Sequence, residues 1–81
     1  MDKVKVMKVA RLAKKFLSIA DELNEKVSRY FDGSKRPEDA KAYETVRAAS
    51  DKFTDALNEL WGERYQYGLN YELAECFLYG M

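Results

Sequence analysis

Between Val6 and Tyr30 the apolar residues fall at Val6, Val9, Ala13, Phe16, Ala20, Leu23, Val27 and Tyr30, separated alternately by three and four positions. That rhythm returns a side chain to the same side of an α-helix at every turn, so it predicts a long helix packed lengthwise on another. The predicted helix runs from about Lys3 to Phe31. Ala10, Leu17 and Phe31 widen the stripe on one flank, Leu12 and Ile19 on the other. A stripe this wide calls for two neighbours rather than one. The opposite face, which includes Lys8, Arg11, Lys14, Lys15, Asp21, Glu22, Glu25, Lys26 and Arg29, reads as a solvated surface.

The pattern stops at Asp32-Gly33-Ser34-Lys35-Arg36-Pro37, a turn in which Gly33 can end one helix and Pro37 can start the next. Glu38 and Asp39 then put negative charge at the positive end of that second helix. Its seam is Ala42, Val46, Ala49, Phe53, Ala56 and Leu60, broadened by Tyr43, Leu57 and Trp61. The helix is expected to run from about Pro37 to Trp61, ending at Gly62, or at Gly68 if the chain stays helical further. A short third helix is expected over Tyr71–Tyr79. Asn70 stands at its N-cap, Leu69 staples its entry, and Leu73, Ala74, Phe77 and Leu78 form its apolar face.

A short turn forces the two long helices to be antiparallel, so facing residues must have a constant sum of residue numbers. Setting Phe31 against Glu38 makes that sum 69 and pairs Val27 with Ala42, Leu23 with Val46, Ala20 with Ala49, Phe16 with Phe53, Ala13 with Ala56 and Val9 with Leu60. The layers from Val27–Ala42 to Val9–Leu60 are apolar on both sides. Turn and seams agree, which is the mark of a consistent fold signal. The expected class is all-α, an antiparallel hairpin of two long helices plus a short C-terminal helix in a small bundle. The wide stripe also makes a homodimer an expectation.

Composition narrows this picture without redirecting it. Eighty-one residues, 47% hydrophobic and 35% charged, suit one folded helical domain spanning residues 1–81. A single cysteine, Cys76, rules out an internal disulfide, and its default state is a packed, inert thiol. Lysines and Asp2 interrupt any leader-like apolar run near the start, and no stretch is long enough to cross a bilayer. The expectation is a complete small cytoplasmic protein with no membrane partner. Net charge is zero but unevenly spread. Lys3, Lys5, Lys8, Arg11, Lys14 and Lys15 crowd the first twenty residues against Asp2 alone. In the last third, Asp55, Glu59, Glu63, Glu72 and Glu75 face only Arg64.

Candidate chemistry is mostly removed by absence. There is no histidine, no cysteine pair and no glycine-rich phosphate loop. Triads, imidazole acid–base catalysis, thiolate zinc sites and nucleotide loops therefore lack their parts. The expectation is a non-enzymatic protein with no cofactor and no metal.

Three constellations remain. Asp51, Asp55 and Glu59 form a carboxylate ladder at i, i+4, i+8, whose like charges are mildly destabilising. The alignment suggests neutralisation by Lys8, Arg11 and Lys14 across the hairpin, with a divalent ion or basic partner as the alternative. Lys5, Lys8, Arg11, Lys14 and Lys15 form a basic face that could meet nucleic acid, although no recognised binding motif accompanies it. The third constellation gathers Trp61, Tyr65, Tyr67, Tyr71, Phe77 and Tyr79 near the C-terminus, interleaved with Glu63, Arg64, Glu72 and Glu75. Core packing accounts for some of these rings, but Tyr65 and Tyr67 lie in a polar, glycine-flanked connection. Tyr, Trp and Arg are the residues that anchor protein interfaces.

The expectation is an interaction module, a small regulator or inhibitor that binds another protein through Trp61, Glu63, Arg64, Tyr65, Tyr67, Tyr71, Glu72 and Glu75. By analogy with small phage-encoded inhibitors, that partner would be a nucleic-acid-processing enzyme whose basic groove takes the acidic, tyrosine-rich end. The alternatives are a nucleic-acid binder using the basic face and a self-associating structural protein.

Overall fold

The computed structural model describes residues 2–80, and all the regular structure in it is helical. The order is α1 (Lys3–Glu22), α2 (Asn24–Phe31), α3 (Pro37–Trp61) and α4 (Tyr71–Tyr79). The Asp2 carboxylate caps α1, accepting from the amides of Val4 at 2.9 Å and Lys5 at 3.4 Å. α1 and α2 together fill the span expected of one continuous helix. The difference is a single residue, Leu23, at φ −101°, ψ 13°. Hydrogen bonds from Leu23 N to Ile19 O and from Val27 N to Leu23 O, both 3.0 Å, carry the ladder across it. No glycine or proline stands there, and nothing in the structure explains the break.

α2 ends in a Schellman turn. Gly33, at φ 97°, sits past the C-cap Asp32, and the Ser34 amide reaches back to Arg29 O at 2.9 Å while Gly33 N reaches Tyr30 O at 3.1 Å. Pro37 occupies the first turn of α3.

Asp39 does more there than answer a helix dipole. It is fully buried, and Arg29 grips it with two bonds, Nε to Oδ2 at 3.2 Å and a terminal nitrogen to Oδ1 at 3.1 Å. The Ser34 hydroxyl adds a third at 2.7 Å. Arg29 therefore belongs to the hairpin closure rather than to a solvated face. The hydrogen bonds from Arg29 and then Ser34, with the guanidinium charge, hold the Asp39 carboxyl below its usual range against the opposing effect of burial.

α1 and α2 pack along α3 as the constant-sum pairing requires. Val9, Ala13, Phe16, Ala20 and Val27 are buried on one side, and Ala42, Val46, Phe53, Ala56 and Leu57 on the other. The Phe16 and Phe53 rings, paired by that sum, stack with centroids 6.4 Å apart. α4 packs against α1 on the Leu17 flank, burying Ala74 and Phe77 and laying Tyr71 on Phe16 at 5.2 Å. Phe16 is thus sandwiched between α3 and the start of α4. Among the described residues no helix covers the flank carrying Leu12 and Ile19. No helix of the described residues is long and apolar enough to cross a membrane.

Candidate functional site

The connection between α3 and α4 is built onto α3 by polar side chains. Gly62 ends α3 with φ 67°, a left-handed conformation that turns the chain back along the helix. Asn58 then clamps Tyr65, accepting from its amide at 2.8 Å and donating to its carbonyl at 3.4 Å. Further back on α3, the buried Ser50 hydroxyl donates to Gly68 O at 2.5 Å and accepts from Asn70 N at 3.1 Å. The Asn70 amide group donates to Thr54 Oγ1 at 2.9 Å and to Gln66 O at 3.0 Å. Asn70 does precede α4, yet its side chain makes no cap bond. It ties the connection to α3 instead, and Ser50, Thr54 and Asn58 are the residues that sequence reasoning missed. A run of small polar residues on the α4 side of α3, beside the apolar seam, is the signal they leave.

This scaffold presents the aromatic side chains. Trp61 is 43% exposed, with the rings of Tyr65 and Phe77 each 5.9 Å from it on centroids. Tyr67 is 56% exposed and donates its hydroxyl to the Asp55 carboxylate. Tyr65 is half-buried and stands between two grooves. One, of about 450 Å³, is lined by Asp55, Asn58, Glu59, Gly62, Glu63, Arg64 and Tyr67 as well. The other, of about 550 Å³, runs along Leu69–Leu73 to Cys76. The neighbouring Glu63 carboxylate raises the Tyr65 phenol above its ordinary range, as the hydrogen bond to Asp55 does for Tyr67. Burial has the same effect on Tyr71.

Of the residues expected to form a surface, Trp61, Glu63, Arg64, Tyr65 and Tyr67 are brought together. Glu72 and Glu75 are exposed on α4. Tyr71 is half-buried with its ring on Phe16, so most of it serves the core.

Two expectations are corrected. The ladder Asp51, Asp55, Glu59 is not neutralised by Lys8, Arg11 and Lys14. Among the described residues the ion pairs are Arg29–Asp39 and Arg36–Glu38, both at the hairpin end. The reason is angular: Asp55 follows Phe53 by two residues, about 200° around the helix, and so turns away from α1 toward the connection. Asp51 keeps one carboxylate oxygen buried without a hydrogen-bond partner, and its charge adds to the shift at Tyr67. Cys76 is exposed rather than packed, because its neighbour Phe77 takes the inward position.

The basic residues Lys5, Lys8, Arg11, Lys14 and Lys15 are all exposed and make no ion pair among the described residues. A second aromatic group lies at the hairpin end, where Tyr30 stacks on Tyr43 at 4.5 Å and Phe31, 61% exposed, meets Tyr43 edge-on at 5.4 Å. No group of histidine, cysteine and carboxylate side chains among the described residues is arranged to hold a metal ion. No protein-family profile matches the chain, and no curated protein or solved structure is significantly similar to it.

Proposed function

We propose that the protein is a non-enzymatic interaction module that binds another macromolecule through the connection between α3 and α4 and the acids around it. One observation carries this reading. Trp61, at the end of α3, and Tyr67, in a connection fixed to α3 by Asn58, Ser50 and Thr54, both stay substantially exposed. Rigid, exposed aromatic rings lose little entropy on binding, and they anchor most protein interfaces. Asp55, Glu59 and Glu63 beside them favour a basic partner surface, such as the nucleic-acid groove of a processing enzyme.

Affinity capture from the source cell with the Tyr65→Ala, Tyr67→Ala double variant tests this. Loss of the partner held by the wild type, with helical circular dichroism unchanged at the temperature of capture, is the expected result. Capture at wild-type level removes this surface from consideration.

A second reading rests on the cations of α1, which make no ion pair among the described residues and leave a basic face for phosphate. It predicts a retarded band with nucleic acid at low salt that disappears when Lys8, Arg11 and Lys15 become Gln. Absence of any retardation at low salt eliminates it.

A further inference from the structure

α3 packs on the seam of α1 and α4 on its Leu17 flank, which leaves the flank carrying Leu12 and Ile19 uncovered by any helix of the described residues. Leu17, facing α4, and Ile19 are two residues apart, about 200° around α1, so they point to opposite flanks. The same separation on α3 sets Ser50 and Thr54, tied to the α4 connection, apart from Ala48 and Lys52. The second flank is a groove of about 310 Å³ lined by Leu12, Lys15, Ile19, Thr45, Ala48, Ala49 and Lys52. Its floor is apolar. The Thr45 hydroxyl is already spent on Lys41 O at 2.8 Å and asks nothing of a ligand. Its only charges are Lys15 on the α1 wall and Lys52 on the α3 wall, both exposed and without an ion pair among the described residues.

We propose that this groove takes an amphipathic helix of another protein, with an apolar stripe flanked by glutamates or aspartates. A groove between two antiparallel helices is where a bundle seats a further helix, and an apolar floor matches an i, i+3, i+7 stripe. Charge selects the occupant. Lysines on both walls attract acids on both sides of the incoming stripe and repel bases. A second copy is a poor fit. Two grooves facing each other about a two-fold axis bring Lys15 and Lys52 of each copy against like charges. The chain's own acidic helix, α4, cannot serve in trans either, because Ala74 and Phe77 are already buried against its own bundle.

The probe is a fluorescently labelled synthetic helix with leucines at i, i+3, i+7 and i+10 and glutamates flanking them, read by anisotropy against the full chain. Its lysine-flanked analogue is the control. The glutamate peptide binds and the lysine peptide binds at least about tenfold more weakly. Lys15→Glu with Lys52→Glu reverses that order, and Ala48→Glu abolishes binding of the glutamate peptide. These positions are exposed, so melting curves stay at wild type and separate lost binding from lost fold. Equal binding of both peptides, binding of neither, or an order unchanged by the lysine reversal overturns the proposal. So does sedimentation equilibrium showing a dimer of the free protein that Ala48→Glu dissociates, since a second copy then fills the groove.

Discussion

Replacing Ser50 by Ala removes one oxygen atom and strands two backbone groups. The hydroxyl is fully buried, donates to Gly68 O at 2.5 Å and accepts from Asn70 N at 3.1 Å, so it joins α3 to both ends of the last turn before α4. A polar group left unpaired out of water costs about 1–3 kcal/mol. Gly68 and Asn70 are half-buried, so water reaches them partly and the low end applies to each, about 2–3 kcal/mol together. For a domain of this size each kcal/mol moves the melting temperature by roughly 4–8 °C, so a drop of about 10–20 °C is expected. Thr54→Val removes one of the two acceptors of the Asn70 side chain, so its cost and that of Ser50→Ala should be less than additive, both acting through Asn70. Urea unfolding read by circular dichroism gives the free energies, and hydrogen exchange at the Asn70 amide gives the local effect. A loss below about 0.5 kcal/mol, or unchanged exchange at Asn70, refutes the claim that Ser50 fastens the connection.

Phe16→Ala removes the ring between Phe53 and Tyr71 and should cost about 3–5 kcal/mol, with Phe16→Leu markedly milder; chemical denaturation of both checks it. Because Arg29 and Ser34 lower the Asp39 carboxyl in the folded state, its stabilisation is complete above its ordinary value of 3.8 and is lost as pH falls through the folded value. Asp39→Asn should therefore lower stability at neutral pH and flatten the acid limb of a stability–pH profile, whereas a limb identical to wild type contradicts the pairing. Asp55→Asn should bring the Tyr67 phenol back toward its ordinary range, seen as an earlier rise of tyrosinate absorbance in an alkaline titration.

The hairpin was legible because it is written redundantly: two seams of period 3.5, a glycine past one helix and a proline at the start of the next all require the same register. The limits of α4 followed from the same local rules, whereas the sequence left the end of α3 open between Gly62 and Gly68 and the structure ends it at Gly62. The break at Leu23 left no mark, since the apolar spacing runs through it unchanged. The charge layout was misjudged for a geometric reason. Matching residue numbers across the hairpin gives the level of Asp51, Asp55 and Glu59 along α3, but not their angle around it, and the angle turns them toward the connection. The aromatic cluster was visible as composition. What holds it was not: Ser50, Thr54 and Asn58 recur every fourth residue beside the seam, but that spacing does not name their partners, which lie 7 to 20 residues away.

Trp61 is the only tryptophan in the chain, and its exposed ring lies beside Tyr65 in the proposed surface. Its fluorescence is therefore a direct reporter of that surface. Titrating the protein with its captured partner to saturation should shift Trp61 emission to shorter wavelength and shield it from a soluble quencher, as water leaves the ring. Stoichiometric binding that leaves both emission and quenching at their free values contradicts the account.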